Sequence, residues 1–181
     1  MALAQTFQKN IIPKLAAELS IKNHLAVPRV KYVVINARIK NTQRDEKFMK
    51  TVTSTLERIT GQKPVITTAK KSIASFKLRQ GMPVGMKVTL RGKRMYDFIE
   101  RLVNVALPRV RDFQGLPMKS FGKSGSYTIG FKEHIVFPEI KSDEVEQLHG
   151  LQVTLVTSAS DPTQGEALLR SLGFPLQSNN K

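Results

Sequence analysis

The chain has 181 residues and a mass of 20.3 kDa, no cysteine, 40% apolar residues, and 29 Lys+Arg against 14 Asp+Glu for a formal net charge of +15. That composition, with nine Pro and eleven Gly, argues against a disordered, collagenous or low-complexity chain, and the missing thiols exclude disulfides, thiolate zinc sites, iron–sulfur clusters and cysteine nucleophiles while fitting a reducing compartment. The length suits one domain over 1–181, and no apolar run approaches the ~18 residues of a membrane span, so the chain reads as soluble, unprocessed and without a membrane partner.

In chain order, Phe7, Ile11, Leu15 and Leu19 predict a helix over 3–20 that Pro13 must kink or restart. Residues 29–36, rich in β-branched side chains and preceded by Pro28, predict a strand. Thr42 with Asp45 resembles a capping box, and Phe48, Val52, Leu56 and Ile59 recur at helical spacing before Gly61. Strands are predicted at 64–68, 72–78 and 86–91, with a turn over 80–85. In the last strand Met86, Val88 and Leu90 share one face and Lys87, Thr89 and Arg91 the other. The same alternation in 72–78 sets Ala74, Phe76 and Leu78 against Ser75, Lys77 and Arg79, and makes Phe76 a core residue rather than a base-stacking one. A helix over 93–106 follows, then short extended pieces at 127–131 and 134–137, a strand at 151–156 and a last helix opened by Asp161 and Pro162 with Ala167, Leu168 and Leu172 inward. Strands mixed with single helices, without a βαβα rhythm, indicate an α+β domain: an antiparallel sheet with helices packed on one face.

Motifs for small-molecule chemistry are missing. Gly122-Lys123-Ser124 ends like a phosphate-binding P-loop, but Pro117 occupies the position of the required glycine, and Gly81 and Gly85 do not complete a dinucleotide-binding fingerprint. Asp143, Glu144 and Glu146 lack the spacing of a calcium loop and read as a solvated face. His24, His134 and His149 are far apart in sequence and read as structural or surface residues, and there is no Gly-x-Ser-x-Gly elbow. No catalytic, metal or cofactor site is expected.

The charge is concentrated. Residues 1–62 carry 11 basic and 4 acidic side chains (+7), 63–111 carry 12 and 2 (+10), and 112–181 carry 6 and 8 (−2). A contiguous basic stretch is the electrostatic footprint of phosphate binding. With no Trp and 7% aromatics, recognition rests on shape, phosphates and 2′-hydroxyls, which favours structured RNA over stacked single strands.

Gly61-Gln62-Lys63-Pro64, Ala69-Lys70-Lys71-Ser72-Ile73-Ala74, Phe76-Lys77-Leu78-Arg79-Gln80-Gly81, Val88-Thr89-Leu90-Arg91-Gly92, Leu107-Pro108-Arg109-Val110-Arg111-Asp112-Phe113, Gly125-Ser126-Tyr127 and Phe137-Pro138-Glu139-Ile140 are ordered motifs spanning about Val27 to Leu172. Through them the sequence closely resembles the large-subunit ribosomal protein number five family. The resemblance implies a ribosome-bound, cytoplasmic protein of bacterial or organellar type that binds 5S ribosomal RNA in the central protuberance through a concave sheet face. It implies further partners in the 23S-type ribosomal RNA and neighbouring ribosomal proteins. By the same resemblance Asn36, Gln62 and Thr89 face RNA, with amide and hydroxyl groups suited to 2′-hydroxyls and base edges. Thr67 joins them, while Arg38, Lys63, Lys70, Lys71, Lys87 and Arg91 would neutralise phosphates. The loop from Lys77 to Gly85 resembles the family's projecting hairpin that reaches transfer RNA in the peptidyl site, with Lys77, Arg79, Gln80, Gly81, Met82 and Gly85 as its contacting residues. The near-neutral 112–181 portion resembles the part that touches a small-subunit head protein in an intersubunit bridge.

Two positions depart from the family pattern. Tyr32 stands where the family has Lys, and Ala37-Arg38-Ile39-Lys40 replaces a Met-Gly-x-Gly turn, which removes two glycines and adds two cations able to take over the phosphate role. A second reading is an RNA chaperone or modification-factor subunit built on the same basic sheet, and a third is an enzyme.

Overall fold

Five strands form one antiparallel sheet in the computed structural model, which describes residues 3–39, 46–140 and 147–177. They are β1 (Val30–Arg38), β2 (Val65–Thr68), β3 (Pro83–Leu90), β4 (Tyr127–Phe131) and β5 (Leu151–Thr157), in the order β2-β3-β1-β5-β4. The predicted Thr42 and Asp45 capping pair, Lys40, and the Asp143, Glu144 and Glu146 group lie outside the described residues. The chain divides into two compact units, one of Met1–Val33, Leu90–Ile129 and Thr154–Lys181 and one of Val34–Thr89 and Gly130–Val153, and β1, β3, β4 and β5 each contribute residues to both.

In the second unit, helix α3 (Glu46–Thr60) buries Phe48, Val52, Leu56 and Ile59, the apolar stripe expected from their spacing. It packs toward the buried side of β3, where the Thr53 hydroxyl lies 3.3 Å from Met86 Sδ. Gly61 takes a left-handed φ of +65° and its N–H donates to Glu57 C=O at 2.7 Å, which ends the helix as the sequence indicates. The β2–β3 pair runs antiparallel with Val65 opposite Lys87, Ile66 opposite Met86 and Thr67 opposite Gly85.

The strand expected at 72–78 does not form. Ile73 and Leu78 pair with each other instead, through N–H···O=C bonds of 2.9 and 3.1 Å, around a 3₁₀ turn at Ala74–Phe76 that closes on a left-handed Lys77. Once the segment folds on itself, period-two alternation no longer assigns faces. Phe76 is consequently 59% exposed, not in the core, and Ala74 is exposed beside it. The extended piece expected at 134–137 is likewise a 3₁₀ turn, His134–Val136.

In the first unit, the helical run around Pro13 is not interrupted: α1 (Leu3–Thr6) passes into a π-helical segment, Phe7–Ile11, and on into α2 (Ile12–Glu18), with Ile12 N–H donating to Phe7 C=O in a widened turn just before Pro13, which has no N–H to donate. Phe7 and Ile11 are buried, and Phe7 meets Tyr96 of α4 (Gly92–Arg101) with ring centroids 5.7 Å apart. A π-helical segment, Leu102–Ala106, extends α4 through the expected 93–106 range. Helix α5 (Pro162–Ser171) is capped by Asp161, whose carboxylate accepts from the Thr163 hydroxyl at 2.5 Å and the Gln164 N–H at 2.9 Å; these bonds hold its pKa below the ordinary value. A Cβ on Gly165 of α5 would collide with the Gly125 backbone, so the Gly125-Ser126-Tyr127 motif keeps its glycine where the helix passes closest. The charge boundary at Arg111 is not a structural one, because Leu90–Ile129 belongs to a single unit.

Candidate nucleic-acid interface

On the face of the sheet opposite α3, polar side chains of β1 and β3 lie beside the exposed Val65 of β2, which pairs with Lys87. On β1, Ile35 and Ala37 are buried while Asn36 and Arg38 are exposed, and on β3, Met86 and Val88 are buried while Lys87 is exposed and Thr89 half-buried. Gly85 lies at the centre of this face. A Cβ there would stand 2.8 Å from Ala37 O, 3.3 Å from Thr67 Oγ1 and 3.6 Å from Asn36 Oδ1. Asn36, Thr67 and Gly85 thus come together from three strands, and the glycine leaves room for the amide and hydroxyl to approach. The sequence places Gly85 in the projecting loop; the structure puts it in β3 because pairing with β2 begins at Pro83.

Gln62 and Lys63 follow α3 and are both exposed. The buried Thr60 hydroxyl donates to Leu56 C=O at 2.6 Å and accepts from the Gln62 N–H at 3.2 Å, so the backbone of Gln62 is fixed while its amide side chain stays in solvent. Sequence reasoning misses Thr60, although a Thr immediately before a helix-ending Gly is a local signal for such a hydroxyl bond.

Between β2 and β3 the loop is closed at its base by Ala69 N–H to Met82 C=O (2.8 Å) and Gly81 N–H to Ala69 C=O (3.0 Å), with Gly81 at φ +85°. Ser72 Oγ accepts from the Gln80 N–H at 3.0 Å. Lys70, Lys71, Lys77, Arg79 and Gln80 are exposed along it, Met82 is half-buried, and Ile73 and Phe76 are exposed beside them. Arg38, Lys63, Lys70, Lys71, Lys77, Arg79, Lys87 and Arg91 have no acidic partner among the described residues. Arg170, by contrast, is paired with Glu166 at 2.8 Å.

In the first unit, Arg91 lies over the ring of Tyr32 with its guanidinium carbon 4.9 Å from the centroid. In the second, His134 and His149, separated in sequence, are stacked with centroids 4.0 Å apart and are 1% and 5% exposed, with Phe48 edge-on to His149. Both are buried rather than at the surface, and their contact is not foreseeable, since nothing in a spacing of fifteen residues signals it. Burial lowers the His134 pKa, and burial followed by repulsion from His134 lowers that of His149 to about 4. Among the described residues no group of three or more His, Asp and Glu could hold a metal ion, and no helix is long and apolar enough to cross a membrane. Gly122-Lys123-Ser124 forms a tight turn, with Gly122 N–H donating to Ser126 C=O at 2.8 Å.

Exposed cations around converging amide and hydroxyl groups on a sheet face have the chemistry of phosphate and 2′-hydroxyl recognition. Residues 23–79 match the family model described as ribosomal protein L5, and residues 83–176 match the model of that ribosomal family's C-terminus. The chain is 50% identical to large ribosomal subunit protein uL5 of Halothermothrix orenii, over 96% of this chain and 97% of the relative. It is 51% identical to the protein of the same name from Trichlorobacter lovleyi (97% and 98% covered) and 48% identical to large ribosomal subunit protein uL5c of Paulinella chromatophora (99% and 100%). The chain belongs to the ribosomal protein L5 family, and is therefore a structural, RNA-associated component of the translation machinery and not an enzyme.

Proposed function

We propose that this protein binds 5S ribosomal RNA in the central protuberance of the large subunit of a bacterial-type ribosome, through the open face of its sheet. The observation that carries this reading is the convergence of Asn36 and Thr67 over Gly85, flanked by cations with no acidic partner among the described residues. An amide and a hydroxyl can read 2′-hydroxyls and base edges, and the cations neutralise the backbone. Gln62 and Thr89 extend the polar set, with Arg38, Lys63, Lys70, Lys71, Lys87 and Arg91 as its phosphate-binding members.

The segment from Lys77 to Gly85 serves a second RNA. Its exposed Lys77, Arg79 and Gln80, on a backbone bent at Gly81, suit transfer RNA in the peptidyl site. Residues 1–181 act as one domain in which the near-neutral 112–181 portion contacts protein: neighbours in the central protuberance and a small-subunit head protein across the subunit gap. The 23S-type ribosomal RNA is a further partner of the basic portion.

Titration with transcribed 5S ribosomal RNA and with a length-matched structured RNA tests the reading. Gln62→Ala and Thr89→Ala should each weaken 5S binding by about 0.5–1.5 kcal/mol, as expected for one lost hydrogen bond, with little effect on the control RNA. Equal affinity of the unaltered protein for both RNAs would overturn the 5S assignment.

A further inference from the structure

Arg91, just after β3, lies over the ring of Tyr32 on β1 with its guanidinium carbon 4.9 Å from the centroid. We infer that Tyr32 is a positioning residue that holds the Arg91 guanidinium ready for a phosphate of the RNA backbone, the pair forming a stacked clamp. The inference rests on the RNA-binding reading above and extends it to a residue that does not itself carry charge.

Three observations support it. Arg91 is exposed, Tyr32 is half-buried, and Arg91 has no acidic partner among the described residues, so the ring is the contact that holds its side chain. A guanidinium satisfied on one face by a ring keeps its N–H donors for the forked recognition of phosphate oxygens, and holding it in place removes rotamer freedom that binding would otherwise cost. Arg91 also has extended backbone dihedrals (φ −136°, ψ 164°) immediately before Gly92 at φ +58°, so it continues the course of β3 up to the start of α4.

The first turn of α4 sharpens the point. Lys93 and Arg94 are exposed there and no acid accompanies them, whereas the partial positive charge of a helix start favours acids. Three cations within residues 91–94 are thus placed against local preference, a conflict that a bound anion relieves.

The test is a double-mutant cycle read by 5S ribosomal RNA affinity and its salt dependence, with a length-matched structured RNA alongside. Tyr32→Leu should weaken binding about fivefold in the unaltered background and by less than about 1.5-fold when Arg91 is already Ala. Arg91→Ala should lower the slope of log affinity against log salt by about 0.9, the value of one phosphate contact, and Tyr32→Phe should retain both affinity and slope. Arg91→Lys, which keeps the charge and does not depend on how the sheet tolerates Leu, should bind several-fold more weakly than Arg91. Equal losses from Tyr32→Leu in both backgrounds, or full affinity with Arg91→Lys, would overturn the clamp. Because phosphate contacts are independent of sequence, the cycle decides on Tyr32 even if 5S and control RNA bind alike, a result that would count only against the 5S assignment.

Discussion

Gly85 and His149 show two ways in which a single position shapes this protein. At Gly85 the missing side chain lets the Asn36 amide and the Thr67 hydroxyl occupy one patch, and any Cβ would press on the Ala37 carbonyl at 2.8 Å. At His149 the consequence is for stability against acid. Its folded pKa of about 4 lies below the unfolded value of 6.5, so the unfolded chain binds the extra proton first. The contribution is fully present above pH ~6.5, is lost as the pH falls toward about 4, and levels off below that. Urea unfolding should therefore show roughly 2 kcal/mol less stability at pH ~5 than at pH ~7 from this residue. His149→Phe, which keeps an aromatic ring beside Phe48 and His134, should remove most of that difference; an unchanged difference would assign the acid sensitivity to other groups.

At the scale of elements, helices and strands with clean periodicity were legible in the sequence. The α3 stripe, the alternation in β3 and the Asp161-Pro162 start of α5 each follow from local rules, and each is present. The loop between β2 and β3 was not, because Ala74, Phe76 and Leu78 mimic a strand pattern while the Ile73–Leu78 pairing and the left-handed Lys77 turn the backbone back on itself. The site divided in the same way. Strand alternation puts Lys87, Thr89 and Arg91 on one face and only the family resemblance singles out Asn36 and Thr89, but the neighbours of Gly85, the Tyr32 and Arg91 stack and the His134 and His149 stack depend on tertiary proximity that no spacing encodes. The loop gives a prediction of its own. Arg79→Ala should leave 5S binding within about twofold, since its side chain is exposed on the loop, yet alter the footprint of peptidyl-site transfer RNA in reconstituted ribosomes. An unchanged footprint would remove Arg79 from that contact.

For the whole molecule, the charge of +15 is +17 over residues 1–111 and −2 beyond. Lys63 and Lys87 of the basic portion are exposed, and so are Lys119, Lys123 and Lys132 of the near-neutral portion, which serve as internal references. Acetylation footprinting of lysines by mass spectrometry, with and without 5S ribosomal RNA, tests most directly whether the open sheet face is where RNA lies. The expected result is strong protection of Lys87 and Lys63, with Lys119, Lys123 and Lys132 remaining reactive. Protection of those three with Lys87 left reactive, or uniform protection of all five, would contradict the assignment of the open sheet face as the RNA-binding surface.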